Sequence, residues 1–159
     1  MWLILALLSA ATAGAVAIFG KIGLKGIDTT LATAVRSVIM AVFLVSAAGV
    51  LGKFKDFSVF SFGAKGWIYI ILAGVAGALS WLFYFAALKL GPASAVAAID
   101  RLSIVFVVIL AAFFLGEHIT KYSFVGALFV VMGALLIAFD SKAVQYVGQI
   151  GKAALVIFK

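Results

Sequence analysis

The stretch that decides the fold runs Leu90-Gly91-Pro92-Ala93-Ser94-Ala95-Val96-Ala97-Ala98-Ile99-Asp100-Arg101-Leu102-Ser103-Ile104-Val105-Phe106. It stays apolar through Phe114-Leu115 and closes with Gly116-Glu117-His118-Ile119-Thr120-Lys121. Gly91-Pro92 reads as a turn followed by a rigid first helical position, because proline's fixed φ suits a helix start and its missing N–H is not needed there. The run from Pro92 to Leu115 exceeds the roughly 20 residues that a hydrocarbon core demands. Asp100 and Arg101 nevertheless sit well inside it.

The rest of the chain has the same character. Of its 159 residues, 67% are hydrophobic and 11% charged, and the mean hydropathy is +1.36. A soluble domain carries about a quarter charged residues, so this is an integral membrane protein. No cysteine is present, which excludes thiolate-based metal and disulfide frameworks. The one histidine, His118, does not make a metal site by itself, and the sequence implies no cofactor. The net charge of +7 comes from basic residues scattered singly between apolar runs, a membrane-flanking pattern rather than a nucleic-acid stripe.

Charges and turn residues punctuate five spans, at about Trp2 to Phe19, Thr30 to Leu51, Trp67 to Leu88, Pro92 to Leu115 and Tyr122 to Phe139. Only helices or closed barrels cross lipid, and the lack of period-two alternation excludes the barrel. The expected fold is therefore all-α, a polytopic bundle of five transmembrane helices over residues 1–140. Residues 141–159 form a tail that is too short and polar to span. Lys142, Gln145, Gln149, Lys152 and Lys159 recur there at helical spacing opposite Val144, Val147, Ile150, Ala154 and Phe158, as in an amphipathic helix on the membrane surface.

Span one holds small residues in rows of four, Ala6, Ala10, Gly14 and Ser9, Ala13, Ala17, which serve close packing or line a substrate path. In span five, Gly126 and Gly133 mark a helix contact. The linker from Gly52 to Gly66 carries Phe54, Phe57, Phe60 and Phe62, which suit a segment lying in the interface. In span three, Trp81 and Tyr84 fall on one face, as bundle core or as a cavity wall with a polar handle.

Charge inside the membrane is the remaining signal. Arg36 lies about 10 Å into span two, and Asp100 lies at a similar depth from the same side, so the two are placed to meet. Arg101 points about 100° away from Asp100 on its helix and adds a second positive charge. Each such charge costs roughly 2.5–3.5 kcal/mol on insertion scales. Two readings fit. The charges form a structural ion pair locking spans two and four, or they form a central polar site in which Asp100 changes protonation. No catalytic constellation is present: intramembrane proteolysis needs a serine with a histidine base or two facing aspartates, and His118 and Asp140 are misplaced for either. The flanking lysines, Lys53, Lys55, Lys65 and Lys121 against Lys21, Lys25, Lys89, Lys142, Lys152 and Lys159, are nearly balanced. They favour a cytoplasmic C-terminus only slightly and leave dual insertion open. Two antiparallel copies of a five-span chain would build an inverted repeat.

Ala87-Leu88-Lys89-Leu90-Gly91-Pro92-Ala93-Ser94, followed one helix later by Phe114-Leu115-Gly116-Glu117-His118-Ile119-Thr120, resembles the signature of EamA-type members of the drug/metabolite transporter superfamily. Phe19-Gly20-Lys21-Ile22-Gly23-Leu24-Lys25-Gly26-Ile27-Asp28 and Arg36 resemble its first-to-second-span region. Full-length members have ten spans in two inverted halves, and this chain resembles one half. Its acidic–basic pair before Leu102-Ser103 is similar to that of half-length, five-span members.

The resemblance implies a secondary transporter of small polar or amphipathic metabolites, ion-coupled or exchanging. It would sit in the prokaryotic cytoplasmic (inner) membrane in contact with lipid, as an antiparallel homodimer or with a similar half-length partner. Asp100, Arg101 and Arg36 are the candidates for substrate or proton coupling, and Gly14, Trp81, Tyr84 and Ser103 for the cavity lining. The alternative is a non-transporting or lipid-handling subunit whose charges serve assembly.

Overall fold

The computed structural model describes residues 1–55, 57–58 and 62–140. Among them the elements are α1 (Trp2–Gly23), α2 (Thr29–Val50), α3 (Gly63–Leu90), α4 (Ala93–Asp100), α5 (Ser103–Leu110), a π-helical turn (Ala111–Leu115) and α6 (Lys121–Ala138). Counting α4, α5 and the π-helical turn as one segment, five helices are long and apolar enough to cross a membrane. The amphipathic tail expected over 141–159 lies outside the described residues, as do Asp56 and Phe60 of the long linker.

Local chemistry sets the helix limits. Asp28 caps α2 by accepting a hydrogen bond from the Leu31 N–H at 2.9 Å, which satisfies one of the donors left free in a first turn. Thr120 caps α6 in the same way through the Ser123 N–H at 3.1 Å. The π-helical turn ends on Gly116 at φ 68°, a left-handed conformation that glycine adopts without a Cβ penalty. α1 continues past Phe19 to Gly23, so Lys21 belongs to its last turn rather than to the linker.

The chain divides into two compact units, residues 23–86 and residues 1–22 with 87–140. In the first, the long linker is tied down by rings. Phe54 and Phe57 meet edge to face at 6.1 Å between centroids, Phe57 and Phe62 lie 5.9 Å apart, and Phe62 meets Trp67 at 5.4 Å. In the second, α4 packs on α6 through small residues, with Ala95 and Ala98 of α4 and Ala134 of α6 buried. Gly126 and Gly133 do not make that contact, since a Cβ at either would meet nothing within 4 Å. Alanine suffices because its methyl group already allows close backbone approach while filling the gap that glycine would leave.

The fourth span is one segment in extent but not in continuity. α4 stops at Asp100, Arg101 and Leu102 form a turn, and α5 resumes at Ser103. Across this join the Leu102 N–H donates to the Ile99 carbonyl at 2.9 Å, Ile104 to Arg101 at 3.1 Å and Val105 to Leu102 at 2.9 Å. These are three-residue steps, the tighter 3₁₀ pattern that in mid-helix marks a hinge or a strained sequence. The expectation of a single uninterrupted helix from Pro92 to Leu115 is corrected at the acid–base pair. Pro92 stands one position before the first turn, at the N-cap.

Candidate functional site

The unit formed by residues 23–86 contains a cluster built on Arg36. Arg36 lies seven residues after Thr29, about 10 Å into α2. Its guanidinium does not turn back toward that near end. One nitrogen, Nη2, donates to the Met40 Sδ at 3.1 Å, and Met40 is close to the middle of the helix. The guanidinium carbon stands 3.6 Å from the centroid of the Trp81 ring and 4.9 Å from that of Phe85. Trp81 meets Tyr84 edge to face at 5.6 Å and Phe85 at 5.8 Å. The rings occupy positions i, i+3 and i+4 of α3, neighbours on one helical face. On α2, Thr33 is buried and its hydroxyl donates to the Thr29 carbonyl at 2.7 Å, as Ser37 does to Thr33 at 2.8 Å.

Arginine suits this position because its flat, weakly hydrated fork stacks on aromatic faces in a way a lysine ammonium does not. A desolvated cation–π contact contributes about 2 kcal/mol, against an insertion cost of roughly 3 kcal/mol for the charge. The rings therefore offset much of the cost without closing it. The remainder shows at one atom: Nη1 is buried and has no hydrogen-bond partner among the described residues. A thioether on Nη2 is also a weak acceptor for so strong a donor.

The second unit holds the other polar candidates. Asp100 is half-buried, while Arg101 and Ser103 are exposed, all at the break between α4 and α5. Gly14 lies on an exposed part of α1. Of the residues singled out from sequence, the structure thus gathers Arg36, Trp81 and Tyr84 in one cluster and Asp100, Arg101 and Ser103 at one helix break.

Two participants escaped the sequence reading. Phe85 completes the ring cluster, and its spacing of four from Trp81 was the available signal. The other is Lys21. Its ammonium donates to the Leu88 carbonyl at 2.5 Å and to the Gly91 carbonyl at 2.8 Å. The cause lies in Pro92. The Leu88 carbonyl would ordinarily accept from the N–H four residues on, and proline has none. A cation at this spot also opposes the negative end of the α3 dipole. The turn it seals is tight, since a Cβ on Gly91 would come within 3.1 Å of Val96 Cγ2.

An apolar groove of about 320 Å³ lies between α5 and α6, lined by Val105, Val108, Ile109, Phe124, Leu128 and Val131 among others. It is almost wholly apolar, and none of the charged candidates lines it.

Residues 1–139 match the model described as the EamA-like transporter family. A Sinorhizobium sp. protein named as an uncharacterized transporter in the cobO 3' region is 39% identical over 137 residues, covering 86% of this chain and 96% of that relative. The relative is thus itself of about five-span length. No solved structure matches the chain.

Proposed function

Because the chain belongs to the EamA-like transporter family in its half-length, five-span form, we propose that it is a secondary transporter of small polar or amphipathic metabolites. The family and the transporter-named relative point to transport rather than enzymatic chemistry, in a multi-pass integral membrane protein. In this reading it works in the bacterial cytoplasmic membrane, ion-coupled or exchanging, as an antiparallel homodimer or with a similar half-length partner.

One observation carries the proposal: the fourth span breaks at Asp100 and Arg101. An intact apolar helix is the cheapest way to cross lipid, because every backbone group is satisfied within it. A break loosens that ladder, and two adjacent charges add several kcal/mol more on insertion scales. Discontinuous helices with polar groups near the midplane are where secondary transporters bind substrate and coupling ion. Asp100 is accordingly assigned the coupling role, with Arg101 supplying charge balance and Ser103 lining at the same break, and with Gly14 as a further lining candidate in that unit. In the other unit, taken by itself, Arg36 is assigned anion contact, with Trp81 and Tyr84 as the wall beside it.

The test is reconstitution of the purified protein in liposomes, with proton flux measured against a panel of amino acids, amines and organic anions for wild type and Asp100→Asn. Substrate-driven flux that disappears in the variant is the expected result. Flux and pH dependence that survive intact would remove Asp100 from coupling. Activity that appears only with a second polypeptide would replace the homodimer with a heteromer.

A further inference from the structure

Resting on the transporter reading for its physiological meaning, we infer that the cluster of Arg36, Trp81 and Phe85 is a recognition site for a small monocarboxylate bearing an apolar group. The guanidinium is occupied only by weak stand-ins: two ring faces at 3.6 and 4.9 Å from its central carbon and a thioether at 3.1 Å from Nη2. Nη1 is buried with no acceptor among the described residues. A donor of this strength in a low-dielectric setting is short of one charged acceptor.

The geometry restricts what that acceptor is. The Trp81 and Phe85 centroids stand 3.6 and 4.9 Å from the guanidinium carbon and 5.8 Å from each other, so the rings cover adjacent sides of the cation and the ligand is drawn to the underused donors at Nη1 and Nη2. Met40 is 40% exposed, and its unbranched side chain rotates away readily, so its sulfur is the displaceable cover. A carboxylate that takes its place bonds both nitrogens in the fork geometry arginine favours. Its single negative charge cancels the single positive charge. A phosphate dianion would leave net charge in an apolar setting, and an amine would meet a like charge. The ligand's apolar part is accommodated beside Trp81, Tyr84 and Phe85, whose side chains pack against one another at 5.6 to 6.1 Å.

The experiment uses the full chain in lipid nanodiscs. Of its three tryptophans, Trp2 and Trp67 are replaced by phenylalanine so that Trp81 alone reports. Butyrate, butyramide, butylamine and butyl phosphate share one skeleton and are titrated in turn against Trp81 emission. The expected result is saturable binding of butyrate at least about tenfold tighter than of the other three. Arg36→Gln loses it, while Arg36→Lys, which keeps the charge but not the fork, weakens it about tenfold. Circular dichroism establishes that both variants are folded.

Equal binding of the amide or the amine, tighter binding of the phosphate, undiminished binding by folded Arg36→Gln, or no saturable response in the folded protein would each overturn the assignment. Butyrate flux in liposomes is read separately. Binding without flux leaves the carboxylate site standing and removes the transporter reading. Amine flux without carboxylate binding does the reverse.

Discussion

The second and fourth spans both carry charge far from their ends, and they accommodate it by opposite means. In α2 the helix is continuous and the side chain of Arg36 finds partners, two ring faces and a sulfur. In the fourth span the backbone yields instead, with α4 ending at Asp100 and three-residue hydrogen-bond steps running through Leu102 to Val105. The difference teaches that a charge of either kind can be carried within a span, but the cost is met in different places. Where a flat cation can stack, the backbone ladder survives. Where an acidic and a basic residue are adjacent and point apart, no single partner surface serves both, and the helix changes pitch.

This contrast can be broken most directly at the rings. Trp81→Ala is expected to destabilise the protein by about 3 kcal/mol, because it opens a cavity and strips the Arg36 charge of its best partner. Trp81→Phe should cost about 1 kcal/mol, since a smaller ring still presents a face. SDS titration of secondary structure in mixed micelles measures both, and equal costs for the two variants would show that the cation–π contact is not what holds Arg36.

The fourth span should respond with the opposite sign. The double variant Asp100→Ala/Arg101→Ala removes both charges and leaves two strong helix formers. It is expected to gain about 2 kcal/mol in the same titration, with slower amide hydrogen exchange around Leu102 and with flux abolished. A loss of stability would mean that the charges hold the bundle together, the structural ion-pair reading.

The comparison sharpens further at Lys21, where a cation serves the backbone. Lys21→Met should cost about 2 kcal/mol, the scale of hydrogen bonds to a charged donor. The smallest expected effect is a coupling. Pro92→Ala restores the N–H that the Leu88 carbonyl lacks, so combining it with Lys21→Met should recover about 1 kcal/mol relative to additivity. Strict additivity in this double-mutant cycle would separate Lys21 from the proline-made vacancy.

Much of this architecture is legible in the amino-acid sequence. Uninterrupted apolar length specifies spans, because lipid leaves the backbone no partners but its own. Gly91-Pro92 specifies where the fourth span begins, since proline constrains φ whatever surrounds it. The depth of Arg36 and Asp100 follows from counting at a fixed rise per residue. The pairing of Trp81 with Tyr84 is a matter of helical periodicity. The break at Asp100 was less legible, because Ala98-Ile99-Asp100-Arg101-Leu102 contains no glycine or proline to announce it.

The sequence by itself determined that this is a five-span membrane protein with charge well inside its second and fourth spans, and that a turn at Gly91-Pro92 separates the third span from the fourth. Only the tertiary structure decided that Lys21 is the donor to the Leu88 carbonyl, that Arg36 lies on Trp81 and Phe85, and that Ala134 rather than Gly126 serves the contact of α6. The physical reason is range. Hydropathy, periodicity and proline act within a few residues of themselves, whereas a cation chooses among all the acceptors and rings that folding brings within about 4 Å, and that choice is written in no local pattern.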